Sequence, residues 1–218
     1  MRDVVIVGAG GHGRETAEIL AASAAAGGSY RPVGFIDQAP ELLGKTINGL
    51  PVLGEPAWLR NRLDLAVVVA LGNPVVLHRV VGEMRAMGLD FAQAISPGAL
   101  VSPTAELGPG VILFAGSIVN ANARIGACTT LNVGATVSHD SVVGECCLLN
   151  PGARLAGNVR VGEGSFIGMG ANVIQGRTIG RWTTVGAGAA VVRDLPDHVT
   201  AVGVPARVIK RKADGEDG

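Results

Sequence analysis

"LGPGVILFAGSIVNANARIGACTTLNVGATVSHDSVVGE" (Leu107–Glu145) places an aliphatic residue at every sixth position: Leu107, Leu113, Val119, Ile125, Leu131, Val137 and Val143. Read outward, the register holds without a slip from Ile95 to Val191, seventeen hexads in all, and every leading residue is aliphatic. The fifth residue of the hexad is Ala, Ser, Thr, Val or Cys in fifteen of the seventeen. A six-residue unit used three times per turn describes a triangular solenoid. The aliphatic residue points into the prism, and the small fifth residue fits its narrow interior. Successive coils stack about 4.8 Å apart, the spacing of neighbouring strands. Gly108, Gly126, Gly144, Gly162 and Gly180 recur every eighteen residues. This column is expected to mark one corner where the backbone needs a permissive conformation.

The rest of the composition agrees with such a core. Hydrophobic residues make up 48% of the 218 residues and aromatics only 3%, so the interior is built from Val, Ile, Leu and Ala. The 33 glycines are spread along the chain and do not form a linker. Formal net charge is zero and the one basic cluster is the short "RVIKRK" (Arg207–Lys212), which argues against nucleic acid as a partner. No apolar run reaches the roughly 18 residues of a membrane span. The opening "MRDVVIVGAGGHGRE" does not read as a signal peptide. Three cysteines, Cys128, Cys146 and Cys147, with no spacing framework suit a reducing, cytoplasmic setting.

Ahead of the hexads the period changes. "DVVIVGAGG" reads as a buried strand entering a glycine turn, and "HGRETAEILAASAAA" as a helix. "RPVGFIDQ" and "LDLAVVVALGN" read as further strands, the second followed by the helical "PVVLHRVVGEMRAMG". The order predicts a small Rossmann-like parallel α/β sheet over residues 1–94 and an all-β solenoid over residues 95–218.

Within the first domain, Gly8, Gly10 and Gly13 form G-x-G-x-x-G between a strand and a helix, with Gly11 and His12 inside the motif. Backbone amides at such a turn reach phosphate oxygens, and a helix N-terminus favours anions. Taken alone the motif suggests NAD, with Asp37 at the end of the second strand meeting a ribose hydroxyl or a base. A domain of about 90 residues is half a dinucleotide fold, which suits a mononucleotide diphosphate better. A tight turn that binds nothing is the structural alternative. "LGNP", with Gly72 and Asn73, ends the third strand on the same edge of the sheet and is a further candidate.

In the solenoid, His139 takes the third place of its hexad, so its side chain should face outward. No other histidine lies between Val80 and Asp197, Asp140 follows directly, and the matching positions one coil below and above are Ala121 and Gly157. Imidazole is the side chain able to take a proton near neutral pH. Cys128 and Cys146 are eighteen apart and could stack; with no other ligands nearby, they and the inward-facing Cys147 read as core residues.

The hexads, the closing "AVGVPARVIK" (Ala201–Lys210), the opening "VVIVGAGGHGRE", and "SHDSVVGE" with "LAGNVRVG" (Leu155–Gly162) together resemble the PglD/NeuD-like sugar acetyltransferases. The left hand of the β-helix comes with this resemblance, not with the period. It implies a homotrimer, a nucleotide sugar on the N-terminal domain with Asp37 near the base, and acetyl-CoA as co-substrate with no metal. It also implies His139 as general base, Asp140 as its support and the Gly157 amide as ligand of the acetyl carbonyl. A CoA groove along Gly168, Gly170, Ala171, Gly186 and Gly188 is implied as well, with Arg207, Lys210 and Arg211 near CoA phosphates. Some relatives carry a second histidine where this chain has Leu148. The reaction expected is N-acetylation of a nucleotide-linked aminodideoxy sugar at its C4 amine. The alternatives are O-acetylation of a sialic-acid-type sugar and, more remotely, a non-catalytic scaffold or nucleotide-sensing module. A zinc enzyme of the γ-carbonic-anhydrase kind needs three histidines, and the repeat supplies only His139.

Overall fold

Strand β1 (Arg2–Val7) ends in the apolar run Val4–Val7, of which Val4, Val5 and Ile6 have no exposed surface. A strand this apolar on both faces belongs in the middle of a parallel sheet. It pairs in parallel with β2 (Tyr30–Ile36) on one side and β5 (Ala66–Val69) on the other. Helix α1 (Gly11–Ala25) connects β1 to β2, and α2 (Pro74–Ala86) connects β5 to β6 (Asp90–Phe91). Two strands absent from the sequence reading, β3 (Thr46–Ile47) and β4 (Leu50–Gly54), form a hairpin whose two-residue loop is Asn48–Gly49, both at positive φ. The order across the sheet is β3-β4-β2-β1-β5-β6. The chain leaves β1 first toward β2 and later returns to its other side, which makes the carboxyl ends of β1 and β5 the switch point where open sheets bind ligands.

The structure, a computed structural model, describes residues 1–211; the last seven residues of the expected second domain, Lys212 of the basic tail among them, lie outside the described residues. The chain divides into two compact units, one of residues 1–72 and 76–97, the other of residues 73–75 and 98 onward.

The second unit is a left-handed parallel β-helix. Two-residue strands such as Ile112–Leu113, Ile118–Val119 and Arg124–Ile125 pair in parallel with Thr130–Leu131, Thr136–Val137 and Val142–Val143, each offset by eighteen residues. From Leu113 to Val191 every hexad-leading aliphatic is buried. The small fifth residues Ala123, Thr129, Ala135, Ser141, Cys147 and Ala153 are inside as well. Their hydroxyls are satisfied locally: Ser141 Oγ donates to Ala156 O (3.0 Å) and accepts from Val159 N–H (3.0 Å). The last coil is closed by an antiparallel pairing of Val199–Val202 with Arg207–Arg211.

One expectation is corrected. The column Gly108, Gly126, Gly144, Gly162, Gly180 does not hold left-handed backbone; none of its members has positive φ. A methyl group on Gly126 would lie 2.5 Å from Glu145 N, and one on Gly144 would lie 2.6 Å from Glu163 N. These glycines let one coil lie against the backbone of the next. The left-handed corners run through Gly116, Gly134, Gly152, Gly170 and Gly188, through Asn122, Asp140, Asn158 and Gly176, and through Gly110, Cys128, Cys146, Gly164 and Trp182.

The two columns predict different costs. Gly134 has φ +66 and nothing within 4 Å of an added methyl, so Gly134→Ala should lose about 1–2 kcal/mol, the cost of left-handed backbone. Gly144→Ala meets backbone and should lose about 3 kcal/mol. Denaturant unfolding of both variants checks the order; equal losses would contradict the stacking role.

Candidate functional site

At the carboxyl edge of β1, the four glycines of the turn serve two purposes. Gly8 has φ +106, and a methyl there would lie 2.8 Å from Ala70 O; a methyl on Gly13 would overlap Gly8 O. Gly8 is required by its positive φ and by the nearby end of β5, and Gly13 by the close approach of α1 to β1. Gly10 and Gly11 are different: both are exposed, and a methyl on either meets almost nothing. The fold itself does not demand glycine at these two positions. Gly10 is the N-cap of α1 and supplies no side-chain cap, and the first turn carries no acidic residue. The positive end of the helix is thus bare beside an open glycine pair. His12, in the first turn, is held below its usual pKa by burial.

Asp37 lies where the sequence reading put it, but its carboxylate holds the protein backbone. Oδ2 accepts the Ala9 N–H at 2.8 Å and Oδ1 accepts the Ala39 N–H at 2.9 Å. It braces the glycine turn against the end of β2. It also lines a cavity of about 110 Å³ with Val7, Gly8, Ile36, Gln38, Pro56, Leu71, Val76, Arg79 and Val80. Gln38 and Arg79 were not anticipated; nothing in their sequence context singles them out. Gly72 is exposed and unobstructed. Asn73 caps: its Oδ1 accepts the Val75 N–H at 2.9 Å.

On the solenoid, the corner after Thr136–Val137 carries His139 and Asp140. Asp140 has φ +59, a conformation that Asp and Asn tolerate better than most residues. That turn brings its carboxylate back to the preceding ring, where Oδ2 lies 2.8 Å from His139 Nδ1. An ionised carboxylate only accepts, so Nδ1 carries a proton, and in the neutral ring Nε2 keeps its lone pair. The bonds from His139 and from Asn122 hold Asp140 below the usual carboxylate range. Asn122 Nδ2 donates to the other oxygen, Oδ1, at 3.1 Å. Asn122 was missed in the sequence, although its offset of eighteen residues from Asp140 was available to find it.

Gly157 sits one coil above the histidine. A methyl on it would lie 2.5 Å from Nε2 and 2.6 Å from Cε1 of His139, so the ring's basic edge rests on Gly157. The Gly157 N–H makes no hydrogen bond among the described residues. Base lone pair and free amide donor therefore share one spot. The backbone holds both: Asp140 N–H donates to Ala121 O (3.0 Å) and Asn158 N–H to His139 O (2.9 Å).

The cysteines lie in the interior. Cys128, Cys146 and Cys147 are buried thiols in no disulfide, and burial pushes the Cys147 thiol up to about 12. Among the described residues no three His, Cys, Asp or Glu side chains cluster as metal ligands. No helix among them is long and apolar enough to cross a membrane.

The expected CoA groove needs correction at one residue. Ala171 is wholly buried inside the prism and has no surface to offer. Gly168 and Gly186 are small because of the next coil: a methyl would lie 2.6 Å from Ala187 N in one case and 2.6 Å from Val202 Cγ1 in the other. Gly170 and Gly188 are left-handed corners with open space outside. Arg207 and Lys210 lie on an exposed strand, as does Arg211. Leu148 is buried.

Residues 3–84 match the family model of the PglD N-terminal domain. No curated protein sequence matches the chain. Among solved structures, one neighbour is a histidine-to-asparagine variant of perosamine N-acetyltransferase from Caulobacter crescentus in complex with CoA and GDP-perosamine. It is 40% identical over 96% of this chain and 98% of that one, with a TM-score of 0.87. The acetyltransferase domain of PglB from Neisseria gonorrhoeae FA1090 is 35% identical over 96% and 100%, TM-score 0.87. WeeI from Acinetobacter baumannii AYE is 30% identical over 96% and 100%, TM-score 0.85. With matches of this identity over nearly its whole length, the chain belongs to the PglD/NeuD-like family of hexapeptide-repeat sugar acetyltransferases.

Proposed function

We propose that the protein transfers acetyl from acetyl-CoA to the C4 amine of a nucleotide-linked aminodideoxy sugar, with His139 as general base. The observation that carries this reading is the placement of His139 Nε2 over Gly157, with Nδ1 bonded to Asp140. The CoA and GDP-perosamine in the Caulobacter neighbour support the substrate class.

In this mechanism the neutral amine attacks the thioester carbonyl carbon. The C–N bond forms as His139 Nε2 takes the amine proton. The Gly157 N–H holds the oxyanion of the tetrahedral adduct. The C–S bond then breaks and CoA leaves as thiolate, which recovers a proton from the imidazolium or from water. Asp140 keeps Nδ1 protonated throughout and stabilises the charged ring. Since Cys147 is a buried thiol pushed up to about 12, it supplies no nucleophile for an acyl-enzyme. The nucleotide diphosphate binds on the first unit, where Gly10 and Gly11 leave room and the N-terminus of α1 favours anions.

Two substitutions test the solenoid site. His139→Asn keeps polarity and approximate size and removes the base, so kcat should fall about 10²–10⁴-fold with substrate binding and thermal stability little changed. Gly157→Ala adds a methyl whose three nearest neighbours are all atoms of the exposed His139 ring. The ring should swing aside, so activity should drop steeply while the melting temperature stays near wild type. Wild-type kcat in His139→Asn with an amino-sugar acceptor would sink the base assignment; running hydroxy-sugar acceptors alongside separates N- from O-acetylation.

The nucleotide turn has its own test. Gly11→Val should weaken nucleotide-sugar binding in calorimetry and leave acetyl-CoA binding and folding intact. Gly13→Ala should destabilise the first unit outright, because the methyl overlaps Gly8 O. The reverse pattern would move the ligand away from this turn.

A homotrimer is part of this reading. Val133 and Met169, two coils apart in one column, are 51% and 60% exposed, and apolar side chains standing out along a column suit burial against another copy. Light scattering should give three chains per particle; an active monomer refutes it.

A further inference from the structure

We propose that Asn122 is a positioning residue for the base, holding the Asp140 carboxylate so that His139 presents its Nε2 lone pair over Gly157; this rests on the reading of His139 as the base. The geometry is a chain of directed bonds running up one corner of the solenoid. Thr104 Oγ1 accepts the Asn122 backbone N–H at 3.1 Å. The Asn122 side-chain amide donates to Asp140 Oδ1 at 3.1 Å, and Asp140 Oδ2 faces His139 Nδ1 at 2.8 Å. Thr104, Asn122 and Asp140 are each eighteen residues apart, so the three lie on successive coils.

Each carboxylate oxygen has one partner, and the two partners differ in kind. The histidine bond alone fixes a distance but leaves the carboxylate free to rotate and to swing with its own side chain. The Asn122 bond supplies the second point. With both oxygens held, the plane of the carboxylate is set, and with it the direction in which Nδ1–H must point. Burial cannot do this work, because the His139 and Asp140 side chains are 61% and 45% exposed. Asn122 is itself left-handed, φ +57, which tilts its side chain along the corner. An amide is suited to the position: it donates to the carboxylate without adding charge. A carboxylate of the same shape could not donate, and would repel Asp140.

The test uses two variants of the full-length protein. Asn122→Gly tolerates φ +57 and removes the amide. Asn122→Asp keeps shape and tolerance of that backbone but has no donor. Both are made alone and in the His139→Asn background, with kcat and KM measured for acetyl-CoA and GDP-perosamine, or the best acceptor of a nucleotide 4-amino-sugar panel. Ring-nitrogen NMR of ¹⁵N-histidine protein reports the His139 tautomer without any substrate. Both variants should lose about three- to thirtyfold in kcat, the coupling expected within one hydrogen-bond network. KM for each substrate should stay within about twofold, melting temperature should be near wild type, and the His139 ring nitrogens should shift toward mixed tautomers. In the His139→Asn background the same changes should cost nothing. Asn122→Asp with wild-type kcat, an equal loss in both backgrounds, or unchanged ring nitrogens would each overturn the proposal. His139→Asn that keeps wild-type kcat is a different result: it removes the base assignment itself, and with it the catalytic role of Asn122.

Discussion

The close stacking of one coil on the next is the constraint on which the rest of the solenoid depends. Strand spacing of about 4.8 Å leaves no room for a side chain where Gly126 faces the Gly144–Glu145 backbone, or where Gly144 faces Glu163. With hydrogen in those places, each coil seats in one register, and from Leu100 to Val191 residue n lies beneath residue n+18. That register is what puts Asn122 under Asp140 and Gly157 over His139. A slip of one residue would move the aliphatics out of the prism and would also separate the base from the bare amide. The apolar interior and the polar corner are therefore fixed by the same stacking.

The corner illustrates how little sequence is needed to orient a base once the frame is rigid. Asp140 adopts a left-handed conformation that few residues accept cheaply. In an extended chain, neighbouring side chains point to opposite sides. Here the turn folds the second residue back on the first, and two adjacent residues become hydrogen-bond partners at 2.8 Å. The tautomer follows from chemistry alone, since a carboxylate has no proton to give.

Much of this is legible in the sequence, because a solenoid writes its period one residue at a time. The hexads gave coil number, inward faces and the outward direction of His139. Other features were not legible, for physical reasons. A column of glycines shows that side chains are excluded, but not whether backbone conformation or a neighbour excludes them. The Gly108–Gly180 column was assigned to the first cause, and the structure gives the second. Asp37 at a strand end has the same appearance whether it awaits a ribose or braces Ala9 and Ala39, since both partners are donors. The resemblance sets Ala171 in the CoA groove beside the glycines, whereas its fifth place in the hexad led by Ile167 assigns it to the interior. The Asn48–Gly49 dipeptide is a hairpin signal, but its flanking strands, two and five residues long, are too short to stand out between the stronger ones. Asn122 needed contact across coils, which the eighteen-residue offset encodes and local reading does not.

Exposure gives the final reason for the design of the corner. An ion pair between exposed groups contributes little because water and salt screen it. The pairing of His139 with Asp140 is that kind of contact, with both side chains about half open. Its value cannot lie in stability; it lies in direction. Direction survives screening when it is enforced by short covalent tethers and by hydrogen bonds to a frame that does not move. All the groups that set it belong to that frame. The His139 carbonyl and the Asp140 amide are bonded to neighbouring coils, the Asp140 backbone is committed to a left-handed turn, and the second carboxylate oxygen is held from the coil below. An aliphatic solenoid whose coils are hydrogen-bonded in one register can thus present a single oriented imidazole at its surface without burying it.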